Sequence, residues 1–374
     1  MRLLSIRTNL QRAAAALVLS AAPAALADGH MAENTAYDAA QLPDPVNFVT
    51  QHRGRFNGQN VSYRVEAGET YLRNEDGEPT GALFSFSYIK DDAGIDRPVT
   101  FIFNGGPGSA SIWLHMGMFG PKRAVVASDA DEDDGAAPYL MVDNPLAVLD
   151  VTDMVFIDPI GTGYSRPIGV GEGADFWSQE GDTASVADFI RIWVTKHKRW
   201  NAPKYIAGES FGTMRAAAVA NELTNGTQNI SLNGLMMISQ ALDYEGSTPV
   251  HDNFYSYVTY LPTLAAVARY HGKGPAEPAD LDAYLEEVRD FAVNEYAPAL
   301  LQGTMLAPAE RARIRDKLAT YTGLSPDYVE TSNLRILTGR FNKELLRDQG
   351  LAVGGADGRY TVDDADDIAE RPTI

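Results

Sequence analysis

Apolar residues fall into three patterns along this chain, and each predicts a different kind of element. In "VSYRVEAGETYLRNEDGEPTGALFSFSYIK" they alternate with polar residues around Gly-containing turns, a period of two that predicts antiparallel strands with one wet face, arranged as two hairpins. Four short, nearly continuous apolar runs follow: "VTFIF" from Val99, "MVFID" from Met154, "KYIAG" from Lys204 and "LNGLMMIS" from Leu232. Such runs suit a parallel sheet covered on both faces. Between the second and third, Val186, Phe189, Ile190 and Trp193 recur at helical spacing behind an acidic first turn. Strand and helix therefore alternate, which predicts an α/β sheet with right-handed crossovers. From about Ala241 to Asn333 the pattern becomes helical and polar, as in "DLDAYLEEVRDFAVNEYAPALL", and predicts an inserted helical cap.

These patterns place a core over residues 47–240, a cap over 241–333 and a segment leading back toward the core over 334–374. Ahead of the core, residues 28–46 are small, polar and proline-punctuated, as a flexible leader would be. Residues 1–27 carry three arginines, no acid, an apolar alanine-rich run and Ala25-Leu26-Ala27, the features of a signal peptide cleaved near Ala27. The apolar run is shorter than a membrane span needs, and no later stretch qualifies. A secreted or periplasmic protein without a stable membrane anchor is the expectation.

Charge and composition narrow the partners. The formal charge is −19, and removal of residues 1–27 takes it to −22. That argues against nucleic acid or anionic membrane as a partner, since both need a basic surface. The chain has no cysteine, so its stability must come from a buried core. "DADEDDG", Asp129 to Gly135, is a poor calcium loop: its glycine falls one place late and Leu140 stands where a bidentate Glu belongs. No His/Cys cluster suggests zinc, and no metal or cofactor is expected.

Two motifs carry chemistry. Gly208-Glu209-Ser210-Phe211-Gly212 fits a nucleophile elbow, a strained strand-to-helix turn that exposes a serine. A glycine-bounded serine capping a helix is the plainer alternative, but "KYIA" supplies a strand before it and "TMRAAAVANEL" a helix after it. Asn104-Gly105-Gly106-Pro107-Gly108-Ser109 directly follows the strand starting at Val99. By itself this is a tight turn; beside an elbow it is a candidate second half of an oxyanion hole, the first half being the Phe211 amide.

"NGGPGSAS", "VFIDPIGTGYSRP" and "IAGESFG", in this order and spacing, resemble the serine carboxypeptidases of peptidase family S10, strongly over about residues 97–240 and more weakly in the cap. The resemblance implies an α/β-hydrolase fold with a helical cap, and removal of C-terminal residues from a peptide or protein with a free C-terminus. It further implies that Ser210 attacks the last peptide carbonyl, that the Gly106 and Phe211 amides hold the oxyanion, and that Asn104, Gly105 and Glu209 bind the substrate carboxylate. Glu209 can donate to a carboxylate only when protonated, so an acidic optimum follows. The chain departs from the pattern at Met118 in "MGMFGPKR", where many members carry a second acid; Lys122 and Arg123 beyond it read as a solvated basic pair.

A larger departure concerns the base. In this fold the catalytic partners follow the serine in the order Asp or Glu, then His. Only His251 and His271 lie downstream, both in or at the edge of the cap, and His271 after "AAVARY" reads as a helix C-terminal residue. The ending "DDADDIAERPTI" has no closing strand or helix. The expectation is a carboxypeptidase sequence cut short, its final sheet strands missing and its turnover residual. The alternatives are an esterase or acyltransferase on the same fold, or a decayed hydrolase that binds peptides without cleaving them.

Overall fold

The computed structural model describes residues 42–127, 137–226, 229–246, 248, 250, 252–366, 368, 369 and 372. The proposed signal peptide, most of the leader, the acidic loop Asp129 to Gly135, and His30 and His251 lie outside the described residues.

Strands β1 (Asn47–Phe56), β2 (Gln59–Arg73) and β3 (Pro79–Lys90) form an antiparallel meander. Two hairpins exist, but the first lies earlier than the alternation predicts. Its turn is Asn57-Gly58, both at positive φ (49° and 82°), the pairing that a tight two-residue hairpin demands. β2 runs straight through Gly68, where the alternation predicts a turn. A side chain there would fall 2.5 Å from the Val46 carbonyl, so the glycine serves the close approach of β1.

The expected central strands are β4 (Val99–Phe103), then, after helix α1 (Ile112–Leu114) and the small ribbon of β5 (Lys122–Ala124) and β6 (Met141–Asp143), β7 (Asp153–Ile157). The two-residue β8 (Arg166–Pro167), α2 (Gln179–Lys196), β9 (Lys204–Glu209), α3 (Phe211–Asn225) and β10 (Gly234–Ile238) complete the core. Sheet order is β1-β2-β3-β7-β4-β9-β10, with β8 beside β3. β7, β4, β9 and β10 are mutually parallel, so their carboxyl ends gather on one side. Every residue of β4 and β7 is buried. Phe101, Phe103, Val155 and Ile157 face α2 and α3 through Phe189, Trp193, Val219 and Leu223, while Ile102, Met154 and Phe156 face Leu114, Phe119 and Tyr63. Period-two alternation inside a fully apolar strand thus feeds two cores. Among the described residues the sheet ends on β10, which leaves Leu235 and Met236 exposed.

The cap comprises α4 (Phe254–Tyr270), α5 (Leu281–Phe291), α6 (Ala297–Gln302), α7 (Pro308–Thr322), α8 (Pro326–Thr331) and α9 (Thr338–Glu344), followed by a hairpin of β11 (Leu351–Val353) and β12 (Thr361–Asp363). Its own core joins Leu264, Tyr284, Phe291 and Leu318 to Phe341, Leu345 and Val353. Residues 334–364 therefore belong to the helical unit. Lys343, buried, is ion-paired with Asp364, and the hairpin pairs with itself instead of adding to the large sheet. Tyr360 reaches the core rim, its hydroxyl donating to the Ala127 carbonyl at 2.7 Å. Among the described residues no helix is long and apolar enough to cross a membrane.

Candidate active site

Ser210 stands between β9 and α3 at φ 56° and ψ −125°, a backbone region that a serine enters only under constraint. The neighbouring glycines supply that constraint. A side chain on Gly208 would come 2.1 Å from the Gly212 carbonyl, and one on Gly212 would come 2.9 Å from the Asn104 carbonyl. The Ser210 N–H donates to Ile238 O at 3.0 Å, tying the turn to the end of β10. Its own carbonyl accepts from Thr213 Oγ1 at 2.7 Å. The turn is held from both sides, as a strained elbow must be, and the serine stands at the sheet's carboxyl end.

The glycine turn after β4 is wedged against this elbow. A methyl group on Gly105 would lie 2.5 Å from Phe211 N and 2.6 Å from Glu209 O, so only glycine lets the two backbones meet. Gly106 and Gly108 have φ of 103° and 99°. Among the described residues the Gly106 and Phe211 amides enter no loop or cap hydrogen bond. Asn104 is fully buried and both ends of its carboxamide are engaged: Nδ2 donates to Glu209 Oε2 at 2.9 Å and Oδ1 accepts the Leu114 N–H at 3.0 Å. The structure thus brings together all six residues singled out in the sequence: Asn104, Gly105, Gly106, Glu209, Ser210 and Phe211. Met118 lies on the π-helical turn that follows α1, half exposed. Lys122 is exposed and ion-paired with Asp143.

Sequence reasoning missed the scaffold beneath. Arg215, one turn into α3, is buried; it pairs with Asp182 at 2.6 Å, donates to the Asn104 carbonyl at 2.7 Å and lies over the Phe103 and Phe211 rings. An arginine inside the alanine-rich "TMRAAAVA" is the signal that could have exposed it. Asp158, at the end of β7, accepts the Ser111 N–H at 2.8 Å and so fixes the start of α1; burial holds its carboxyl above the ordinary range.

No described imidazole reaches Ser210. His52 bonds Thr50, His197 lies beside Glu66, and His271, the C-cap of α4, bonds the Gly358 carbonyl at 2.7 Å. His115 is buried at the start of the π-helical turn, 2.6 Å from the Tyr88 hydroxyl and stacked on Phe156. Burial pushes His115 down to about 4. Between there and the ordinary histidine range, the unfolded chain holds a proton that the folded chain excludes, so stability falls as pH drops through this window. A displacement of that size corresponds to a loss on the order of 3 kcal/mol. His115→Gln, which keeps a partner for Tyr88, is expected to flatten urea midpoints between pH 6.5 and 4. It will not level them, because burial also depresses His197. An unchanged slope would remove His115 from the account.

A mixed sheet with parallel central strands, a serine elbow at their carboxyl ends and a glycine turn abutting that elbow define an α/β-hydrolase. Residues 57–268, more than half of the chain, match the serine carboxypeptidase family. The chain belongs to that family. Serine carboxypeptidase-like 17 of Arabidopsis thaliana is 28% identical over 178 residues, 45% of this chain and 38% of that protein. The pheromone-processing carboxypeptidase KEX1 of Cryptococcus gattii is 29% identical over 217 residues, 57% of this chain and 30% of that protein. These alignments span only about a third of the relatives' own length. Among solved structures, the prohormone-processing carboxypeptidase Kex1(delta)p of Saccharomyces cerevisiae aligns with a TM-score of 0.40 and 19% identity, over 70% of this chain and 53% of that one.

Proposed function

We propose that this chain recognises peptides by their free C-terminal carboxylate and acts on the last peptide bond through an acyl-enzyme on Ser210. One observation carries the reading: Gly105 seats the turn after β4 directly on the Phe211 amide, which supports an oxyanion hole made of the Gly106 and Phe211 N–H groups beside the serine. Attack forms the Oγ–carbonyl bond, and the negative charge that develops on the carbonyl oxygen is met by those two amides. The C–N bond then breaks, the leaving amine departs with the proton that the Ser210 hydroxyl gave up, and water later releases the acyl group as the acid and returns a proton to Ser210. Asn104, Gly105 and Glu209 hold the carboxylate; Glu209 Oε1 has no partner among the described residues, which leaves it available to donate when protonated. Export by cleavage near Ala27 belongs to the same proposal.

A second reading, a peptide-binding protein without turnover, is favoured by one fact: no described histidine reaches Ser210. A fluorophosphonate probe separates the two. Labelling at Ser210, lost in Ser210→Ala, with release of single C-terminal residues supports the carboxypeptidase; ester cleavage alone, or internal peptide cleavage, refutes it. Without an imidazole the expected rate is the residual acceleration of oxyanion hole and binding, roughly 10³–10⁴ over water. Binding of peptides that Ser210→Ala leaves unchanged, with no measurable turnover in either protein, supports the second reading.

A further inference from the structure

A cavity of about 440 Å³ opens beside the elbow, lined by Pro107, Ile160, Phe176, Trp177, Phe211 and Met214 among others. That volume lies within the roughly 300–1,000 Å³ of small-ligand sites. Its lining contains the residues just beyond Gly106 and just beyond Ser210, and none of Asn104, Gly105 or Glu209. A peptide whose carboxylate sits at Asn104 and Glu209, with its scissile carbonyl at Ser210, therefore turns its acyl side toward this cavity. The residue that enters it is the penultimate one.

Two hydroxyls and both charges on the wall are already engaged, and the remaining polar groups, the Gln179 carboxamide and the Trp177 indole N–H, are neutral. Thr162 Oγ1 donates to the Pro159 carbonyl, and Ser178 Oγ accepts the Gly181 N–H. The two wall charges, Asp182 and Arg215, neutralise each other at 2.6 Å. A charged guest would lose its hydration here and find no free counter-charge. Trp177 is 68% exposed at the mouth, its ring held against Gly161 and Gly173, where any side chain would collide with it. It offers an aromatic face to stack upon.

We infer that this cavity selects peptides with an aromatic or bulky apolar penultimate residue and rejects charged ones. The inference rests on the carboxylate recognition proposed above, and its test keeps the two apart. Binding is measured by calorimetry on the full chain carrying Ser210→Ala, with the free acids acetyl-phenylalanyl-, acetyl-glycyl-, acetyl-lysyl- and acetyl-glutamyl-alanine, and with the amide of the first. The phenylalanyl acid is expected to bind at least about tenfold more tightly than the other three acids. Trp177→Ala, a change at an exposed position, should shrink that margin and leave the glycyl peptide unaffected. Met214→Glu adds one uncompensated negative charge to the wall, whichever acid Arg215 keeps, and should make the lysyl peptide the tightest. Four acids of equal affinity, all tighter than the amide, would overturn the cavity assignment and leave the carboxylate reading standing. An amide as tight as its acid, with phenylalanine still preferred, would overturn the carboxylate reading and keep the cavity. Absence of binding by every peptide would overturn both.

Discussion

Gly105→Ala is expected to cost the chain most of its Ser210 reactivity, although the added group is a single methyl. The methyl would lie within 2.8 Å of three backbone atoms, Phe211 N, Glu209 O and Gly212 N, and none of these is the flexible end of a side chain. Relief requires the glycine turn to move away from the elbow, which displaces an amide of the proposed oxyanion hole. Loss of one such donor typically slows acyl transfer by about 10²–10³. Overpacking of this kind also costs about 1–3 kcal/mol of stability. Fluorophosphonate labelling rates and urea midpoints read the two effects separately. Gly117→Ala is the control: nothing lies within 4 Å of the place its methyl would occupy and its φ is not positive, so it should leave labelling alone and, if anything, stabilise the fold by about 0.4–1 kcal/mol. Equal labelling of Gly105→Ala and the parent would refute the juxtaposition as the source of reactivity.

The difference between what the sequence reveals and what it hides follows from range. Ser210 was legible because an elbow is a local device: the strand before it, the helix after it and two small flanking residues all lie within one short stretch. Asn104 and Glu209 were legible as motif members, but their 2.9 Å hydrogen bond was not, since it joins the ends of two strands 105 residues apart. Arg215 was hidden for the same reason. Its partners, Asp182 and the Asn104 carbonyl, come from α2 and the end of β4, and no periodicity within α3 announces them. β1 was missed because most of its residues are exposed on both faces, so no apolar alternation marks it; its one local signal was the Asn57-Gly58 turn. The continuation of the cap past Asn333 was equally obscure, because Phe341, Leu345 and Val353 declare themselves only by the cluster they join.

His115 sets a lower pH limit for the fold. Depressed to about 4 by burial, it makes the folded state lose stability as pH falls from about 6.5, and His115→Gln should move that limit downward.

Arg215→Met should be among the most destabilising single changes available in this chain. The guanidinium is only 2% exposed, and it answers two acceptors at once, the partly buried Asp182 carboxylate and the carbonyl of the buried Asn104. Methionine keeps much of the volume against Phe103 and Phe211 but leaves Asp182 with an uncompensated charge beside the apolar cavity. Breaking a buried pair in this way costs roughly 3–5 kcal/mol. Replacing both partners is a different experiment, because Arg215→Met with Asp182→Leu removes the stranded charge as well as its partner, and such swaps are often close to neutral. The double variant should therefore be more stable than Arg215→Met alone, with only the Asn104 carbonyl still lacking its donor. That residual matters for the site, since Asn104 orients Glu209, so peptide binding should stay weak in the double variant even where its urea midpoint recovers. If Arg215→Met costs less than about 1 kcal/mol, the ion pair is solvated and the neutral wall inferred for the cavity loses its basis.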